Sequence, residues 1–336
     1  MRLAAFLAFS VLSGFLELGI ILAAALGPGP FMAAALTALA YQIGTLVPLP
    51  VTMTRSATRA LVLCGAALAL AVIAVPTMAI QLALVAVLSA VVNLSRMALG
   101  KATVPTTLKR SFRVAGFLTA PLMTLPGALP VAALAVLALG CAVLWSHQPT
   151  RRTGGLRPVP TITAALVAHQ MHYFSYYAVV VVVLAMTYGP VYGTIGFVMG
   201  WISYISAPHL AGRRLPAETL VIGGHIVLAF VLVLLAVATP GGWAWLTLWI
   251  LTGFFGGMVV YLTGLARERF GFDEAALTGT ENAGHALGAL VACLWLAVGG
   301  AAGNLFFIAA VFALMTAALV GQAVKQRSRP FRRRAS

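Results

Sequence analysis

About twelve apolar runs, each close to twenty residues long, follow one another along this 336-residue chain with very little between them. A helix rises 1.5 Å per residue, so roughly 20 apolar residues cross the ~30 Å hydrocarbon layer of a bilayer. Inside lipid every backbone N–H and C=O must be satisfied within the protein, which restricts such a chain to helices. The breaks fall at 27–30, 51–59, 75–77, 101–110, 125–130, 147–160, 188–193, 208–218, 239–242, 267–273 and 299–303, each marked by Gly, Pro or charge. The expected fold class is therefore an all-α membrane protein of about twelve transmembrane helices. Only 8% of the residues are charged, against about 25% in soluble domains. The first run, residues 3–26, follows Arg2 in the manner of a secretory leader. It is too long for a leader's apolar core and resembles the runs after it, so it reads as the first span.

Charge orients the spans. The 21 Lys and Arg residues outnumber the 6 Asp and Glu, and they gather at or near the even-numbered breaks and the two termini. Arg55 and Arg59 lie at the second break, Lys101 to Arg113 at the fourth, Arg151, Arg152 and Arg157 at the sixth. Arg213 and Arg214 follow at the eighth and Arg267 and Arg269 at the tenth; Arg2 lies at the N-terminus, Arg96 just before the fourth break, and the rest in the tail from Lys325 to Arg334. Excess Lys and Arg marks the cytoplasmic side, which puts both termini there and makes the span number even. No hydrophilic stretch is long enough for a basic folded domain, so nucleic acid is not an expected partner, whereas anionic membrane lipids are. Cys64, Cys141 and Cys293 stand far apart within apolar runs and read as packing residues.

The longest polar connector, SHQPTRRTGGLRPVP at 146–160, divides the chain into six runs plus six. Expected boundaries are a first six-helix bundle at 1–146, a cytoplasmic linker at 147–159, a second bundle at 160–323 and a basic tail at 324–336. A weak repeat supports the division. The loop after the second run has Pro50 and Arg55 five apart, and the loop after the eighth has Pro208 and Arg213 at the same spacing. The fifth run opens Arg113-x-x-Gly116-x-x-x-Ala120, the eleventh Glu281-x-x-Gly284-x-x-x-Gly288. Small residues four apart allow close helix contact in lipid.

On these residues the chain resembles the major facilitator superfamily of secondary transporters over essentially its whole length. The segment 96–102 (RMALGKA) is similar to that family's R-x-x-x-G motif on the fourth span. The segment 113–121 (RVAGFLTAP) resembles its fifth-span Gly/Pro pattern, and 208–214 (PHLAGRR) its basic loop after span eight. The loop after span two departs from the family, with Arg55 and Arg59 but no Gly-x-x-x-Asp; the chain is short and its central connector brief. The resemblance implies two six-helix bundles, alternating access around a midplane site, and spans one and four adjoining the cavity. It places spans three, six, nine and twelve at the periphery, which makes His225 a bonded packing residue.

Ionisable groups inside the hydrocarbon are costly and so are functional candidates. Glu17 lies about 21 Å along the first span and has no opposite charge on its own run. It reads either as a protonated acid bonded to a neighbouring helix or as a proton- or amine-binding carboxylate. The resemblance offers Arg96 as its partner and associates that Arg with proton coupling. On the seventh run His169, His172, Tyr173 and Tyr176 share one helical face, with His172 close to the midplane. On the eleventh, Glu281 and His285 stand one turn apart beside Asn282. Glu281 is either a third proton-coupling group with Glu17 and Arg96, or an inner-end residue paired with Arg113 or Arg269. Tyr41 and Gln42 on the second run complete the expected substrate-binding set.

The expected function is secondary active transport of a small molecule, with proton coupling by antiport and export of an organic compound. No phosphate-binding G-x4-G-K-[ST] pattern is present, no cofactor is expected, and the protein is expected to act as a monomer in a bacterial cytoplasmic membrane. One alternative is a transition-metal or metal-chelate carrier using His169, His172 and His285, since imidazoles suit first-row metals. A second is an integral membrane enzyme, against which stand the absence of HExxH and the spread of polar groups over several mid-span positions.

Overall fold

A computed structural model describes residues 2–46, 55–99, 106–146, 159–211 and 215–328. Pro50, Gly100, Lys101, Arg151, Arg152, Arg157, Arg213, Arg214, most of the expected linker and the tail arginines from Arg329 onward lie outside the described residues. Among those described there is no strand. The helices are α1 (Arg2–Ala25), α2 (Pro30–Leu46), α3 (Arg55–Ala74), α4 (Met78–Ala98), α5 (Thr106–Thr119) and α6 (Ala128–Ser146). After them come α7 (Pro160–Leu210), α8 (Ala217–Val237), α9 (Trp243–Gly256), α10 (Val259–Phe270), α11 (Glu274–Ala297) and α12 (Leu305–Ser328).

Among the described residues eight segments are long and apolar enough to cross a membrane: Arg2–Ala25, Ser56–Ala74, Met78–Ala98, Ala128–Trp145, Pro160–Leu210, Ala217–Val237, Trp243–Phe270 and Ala302–Gln326. The helix α2 is apolar but shorter. At 51 residues α7 would be roughly 76 Å long as one rod, more than twice the hydrocarbon thickness. It is in fact two arms, broken at Gly189, whose φ of 75° and ψ of 172° lie outside the helical region. Glycine adopts positive φ without a Cβ penalty, and Pro190 then starts the second arm with φ already preset. Two further interruptions fall inside expected runs. The segment Trp243–Phe270 breaks between α9 and α10 at Gly257 and Met258, and α5 tightens into a 3-10 turn, Ala120–Thr124, where Pro121 enters.

The chain forms two compact units. The first comprises Met1–Thr153 with Tyr177–Met199 and Ala289–Ala302; the second comprises Gly154–Tyr176, Gly200–Gly288 and Gly303–Ser336. Within the first, α1 packs on α5, α2 on α4 and α3 on α6. The α1/α5 contact is backbone on backbone, since a Cβ on Gly14 would strike the Arg113 carbonyl and one on Gly116 the Val11 carbonyl. Within the second, α12 runs along α8. Gly284 of α11 lies against Val167 and Gln170 of the first arm of α7, and Gly288 against Met171 and Phe174. Gly253 of α9 meets the Gly200 carbonyl of the second arm. Ile162, Leu166, Val221, Leu262, Phe272 and Val320 are buried in this unit's core. Of the cysteines, Cys293 is buried, Cys141 half-buried and Cys64 exposed on the apolar helix α3.

Candidate functional site

Two buried polar clusters form, one in each unit. In the first, Glu17 of α1 is 0% exposed and forms an ion pair with the guanidinium of Arg113 on α5. The sequence explains how two helices bring these groups together. Gly14 and Gly116 remove the side chains that would hold α1 and α5 apart, and Glu17 and Arg113 each lie three positions from one of those glycines on the touching faces. The Tyr41 hydroxyl of α2 donates to the Ser13 carbonyl at 3.1 Å and also meets the Ser13 hydroxyl. From α4, Ser89 donates to the Tyr41 carbonyl at 2.7 Å and the Asn93 amide to the Thr45 carbonyl at 3.0 Å. Gln42 is buried beside them on α2.

Arg96, expected beside Glu17, instead sets its guanidinium carbon 5.5 Å from the centroid of the Phe6 ring. Among the described residues it has no ion pair, and its buried Nε has no hydrogen-bond partner. Glu17 likewise keeps one oxygen, Oε1, without a partner there. The cluster thus carries two guanidinium groups to one carboxylate, an excess of positive charge at a site where charge is costly. Arg113 is the residue that sequence reasoning missed as the partner of Glu17. The signal was present in the small residues flanking both.

In the second unit, His169 and His172 of α7 are both 2% exposed and His225 of α8 is 0% exposed. Hydrogen bonding fixes their tautomers, taking the rings as neutral. His225 Nδ1 lies 2.7 Å from the Val221 carbonyl, which only accepts, so Nδ1 carries the proton and Nε2 the lone pair. The 2.8 Å contact between His225 Nε2 and His169 Nδ1 is then a bond in which His169 donates. His172 Nδ1 donates to the carbonyl of His169. The histidines are linked in series to one another and to backbone, and the expectation of a bonded packing role for His225 describes where it sits.

The remaining stripe residues divide. Tyr176 is 1% exposed, enclosed by Trp249 and Phe306 with ring centroids at 6.4 and 5.3 Å, and bonded to the Thr252 hydroxyl. Tyr173 is half-buried. Its hydroxyl accepts from Trp201 Nε1 at 2.8 Å, and Trp201 stacks edge-on against Tyr204 at 5.4 Å. His285 of α11 donates through Nε2 to Gln170 Oε1 at 2.8 Å, with its ring 4.2 Å from Phe174. Glu281 and Asn282 are half-buried on the same helix.

The structure therefore brings together Glu17 and Tyr41 in one unit, and His169, His172, Tyr173 and Tyr176 in the other. To these it adds Arg113, His225, Gln170 and Trp201. Among the described residues no group of three or more His, Cys, Asp or Glu is placed to hold a metal ion. The first cluster can exchange a proton or a ligand charge against an ion pair. The second offers hydrogen bonds and aromatic faces without a buried formal charge among its histidines and tyrosines. No protein-family model matches the chain, and no curated protein matches it.

Proposed function

We propose that this protein is a secondary transporter of the bacterial cytoplasmic membrane that exports a small organic compound in exchange for protons. In this reading the chain crosses about twelve times in two six-helix bundles, 1–146 and 160–323, with both termini cytoplasmic, as its resemblance to the major facilitator superfamily implies. The observation that carries the reading is the fully buried Glu17 carboxylate, held by Arg113 from another helix and with Oε1 unengaged among the described residues. A buried ion pair is only weak evidence of a contribution to stability, because desolvation offsets much of its attraction. A pair retained mid-helix in lipid is better explained by a change of charge during function.

Protonating Glu17 removes the counter-charge of Arg113 and leaves a buried cation in want of a new partner. That is a way to couple a proton to rearrangement of α1 against α5, because any state with Glu17 protonated must satisfy Arg113 differently. On the organic solute, the half-buried Tyr173 and Trp201 present more ring surface than the enclosed Tyr176. Gln170, one turn from Tyr173 on α7, and His285, bonded to it at 2.8 Å, add hydrogen-bonding groups in the same unit. The metal alternative needs His169, His172 and His285 on one ion, and among the described residues no group of three or more His, Cys, Asp or Glu is placed to hold one.

The test is efflux from cells lacking their main exporters, scored over a panel of lipophilic dyes and antibiotics with and without a proton uncoupler. Expression should lower accumulation of at least one compound, the uncoupler should abolish this, and Glu17→Gln should do the same at equal protein level. Transport with unchanged pH dependence in Glu17→Gln would refute the proton role of this carboxylate.

A further inference from the structure

A groove of about 620 Å³ in the second unit is lined by Ile222 of α8 and by Ala317, Ala318, Gly321, Gln322, Lys325 and Gln326 of α12. Its composition changes along its length. Ile222, Ala317, Ala318 and Gly321 make an apolar floor of mostly small side chains, and a Cβ added to Gly321 would meet only the tip of Ile222, at 3.9 Å. At the end nearer the C-terminus stand one cation and two amides. Among the described residues neither Lys325 nor Gln322 has a hydrogen-bond or ion-pair partner. Gln326 accepts from the Thr161 hydroxyl through Oε1 at 3.4 Å, which leaves its NH2 group to donate elsewhere.

We infer that this groove binds one phospholipid with an anionic headgroup, its phosphodiester on Lys325, Gln322 and Gln326 and an acyl chain along the apolar floor. Charge complementarity selects this occupant. The groove supplies donors and a positive charge without an acidic residue in its lining, and the chain continues into a basic tail, Arg327 to Arg334. By the distribution of Lys and Arg this end of α12 faces the cytoplasmic leaflet, whose surface potential is negative and where basic pockets between helices hold acidic lipid headgroups. A zwitterionic lipid carries the same phosphodiester, but its own cation offsets part of the gain from Lys325, so the net preference is for the anionic headgroup. The volume is within the range of formed small-molecule sites. The inference rests on membrane insertion but not on transport, so it stands whether or not Glu17 carries a proton.

Native mass spectrometry of the detergent-purified protein, titrated with phosphatidylglycerol, phosphatidylcholine or glycerol phosphate, tests this directly. The expected result is a one-lipid adduct with phosphatidylglycerol that phosphatidylcholine does not displace at equal concentration. Lys325→Ala should weaken it about fivefold, the equivalent of roughly 1 kcal/mol for one basic residue near an anionic surface. Ala318→Trp, which fills the floor at an exposed position, should weaken it in a protein with unchanged thermal stability. Neutralising Arg332, Arg333 and Arg334 should leave the one-lipid adduct in place. Equal retention in Lys325→Ala and Ala318→Trp, loss on neutralising the tail alone, or equally tight binding of glycerol phosphate would each overturn the proposal. Recovery of the protein without detergent would instead overturn the membrane reading itself.

Discussion

The two units use the same contact for different chemistry. In the first, Gly116 of α5 sits against the Val11 carbonyl of α1; in the second, Gly284 of α11 sits against the Val167 carbonyl of α7. Six residues beyond those carbonyls stand Glu17 and Tyr173, and three residues before those glycines stand Arg113 and Glu281. A carboxylate in one unit thus matches a phenol in the other, and a guanidinium matches a carboxylate. The small residues set the helix separation in both places, while the residues beside them have diverged. One cluster is joined by an ion pair, the other by neutral hydrogen bonds and ring contacts. Under the proposed function, charge coupling falls to the first unit and uncharged recognition to the second.

The sharpest way to break this comparison is to remove one charge. Arg113→Ala leaves Glu17 buried without its cation, which should cost about 3–5 kcal/mol of stability, read as a fall in thermal unfolding temperature in detergent. Adding Glu17→Gln should recover most of that loss, because the uncompensated carboxylate is what makes the single variant costly. If Arg113→Ala alone were as stable as the parent, the ion pair would carry no weight in the folded state and the contrast with the second unit would fail.

A middle-sized effect is expected in the second unit. His225→Phe keeps a ring of similar shape but removes the acceptor for His169 Nδ1 and the donor to the Val221 carbonyl. Leaving buried groups unsatisfied costs about 1–3 kcal/mol, so the fall should be smaller than for Arg113→Ala. Nitrogen-15 chemical shifts of the labelled histidines supply a sharper check. His169 should report a protonated Nδ1 and His225 a protonated Nδ1 with an accepting Nε2. The reverse tautomer at His225 would contradict the chain of bonds drawn here.

Much of this arrangement was legible in the sequence, and the parts that were not share a cause. Helix ends at Ala74 and Val237 and the turn at Gly189 fall at or beside breaks that Gly, Pro or charge had marked. The stripe of His169, His172, Tyr173 and Tyr176 does share a neighbourhood, because periodicity alone fixes a helical face. What periodicity cannot supply is which neighbour that face meets. Arg96 was expected beside Glu17 from helix adjacency, yet the contact depends on side-chain reach and on the phase of α5 set by Gly116. Tyr176 was expected to face a solute, but Trp249 and Phe306, more than seventy residues away in sequence, enclose it. The break between α9 and α10 was equally hidden. A Gly-Gly pair in an apolar run reads as packing, and here Gly257 also approaches the Tyr204 carbonyl so closely that no larger residue fits.

The smallest expected effect tests the match between Glu17 and Tyr173. Trp201→Phe removes the indole N–H that donates to the Tyr173 hydroxyl at 2.8 Å but keeps an aromatic ring against Tyr173 and Tyr204. Hydrogen bonds between helices in membranes contribute on average about 0.6 kcal/mol, and Tyr173 is half-buried, so a shift of that order in unfolding free energy is expected. Stability should hardly register it, whereas Arg113→Ala should. If Tyr173 and Trp201 form the recognition surface, the same variant should instead change which dyes accumulate in the efflux assay while leaving sensitivity to the uncoupler intact. A stability loss comparable to that of Arg113→Ala would mean that the phenol–indole pair bears on folding as heavily as the ion pair it matches, and the division of labour between the units would fail.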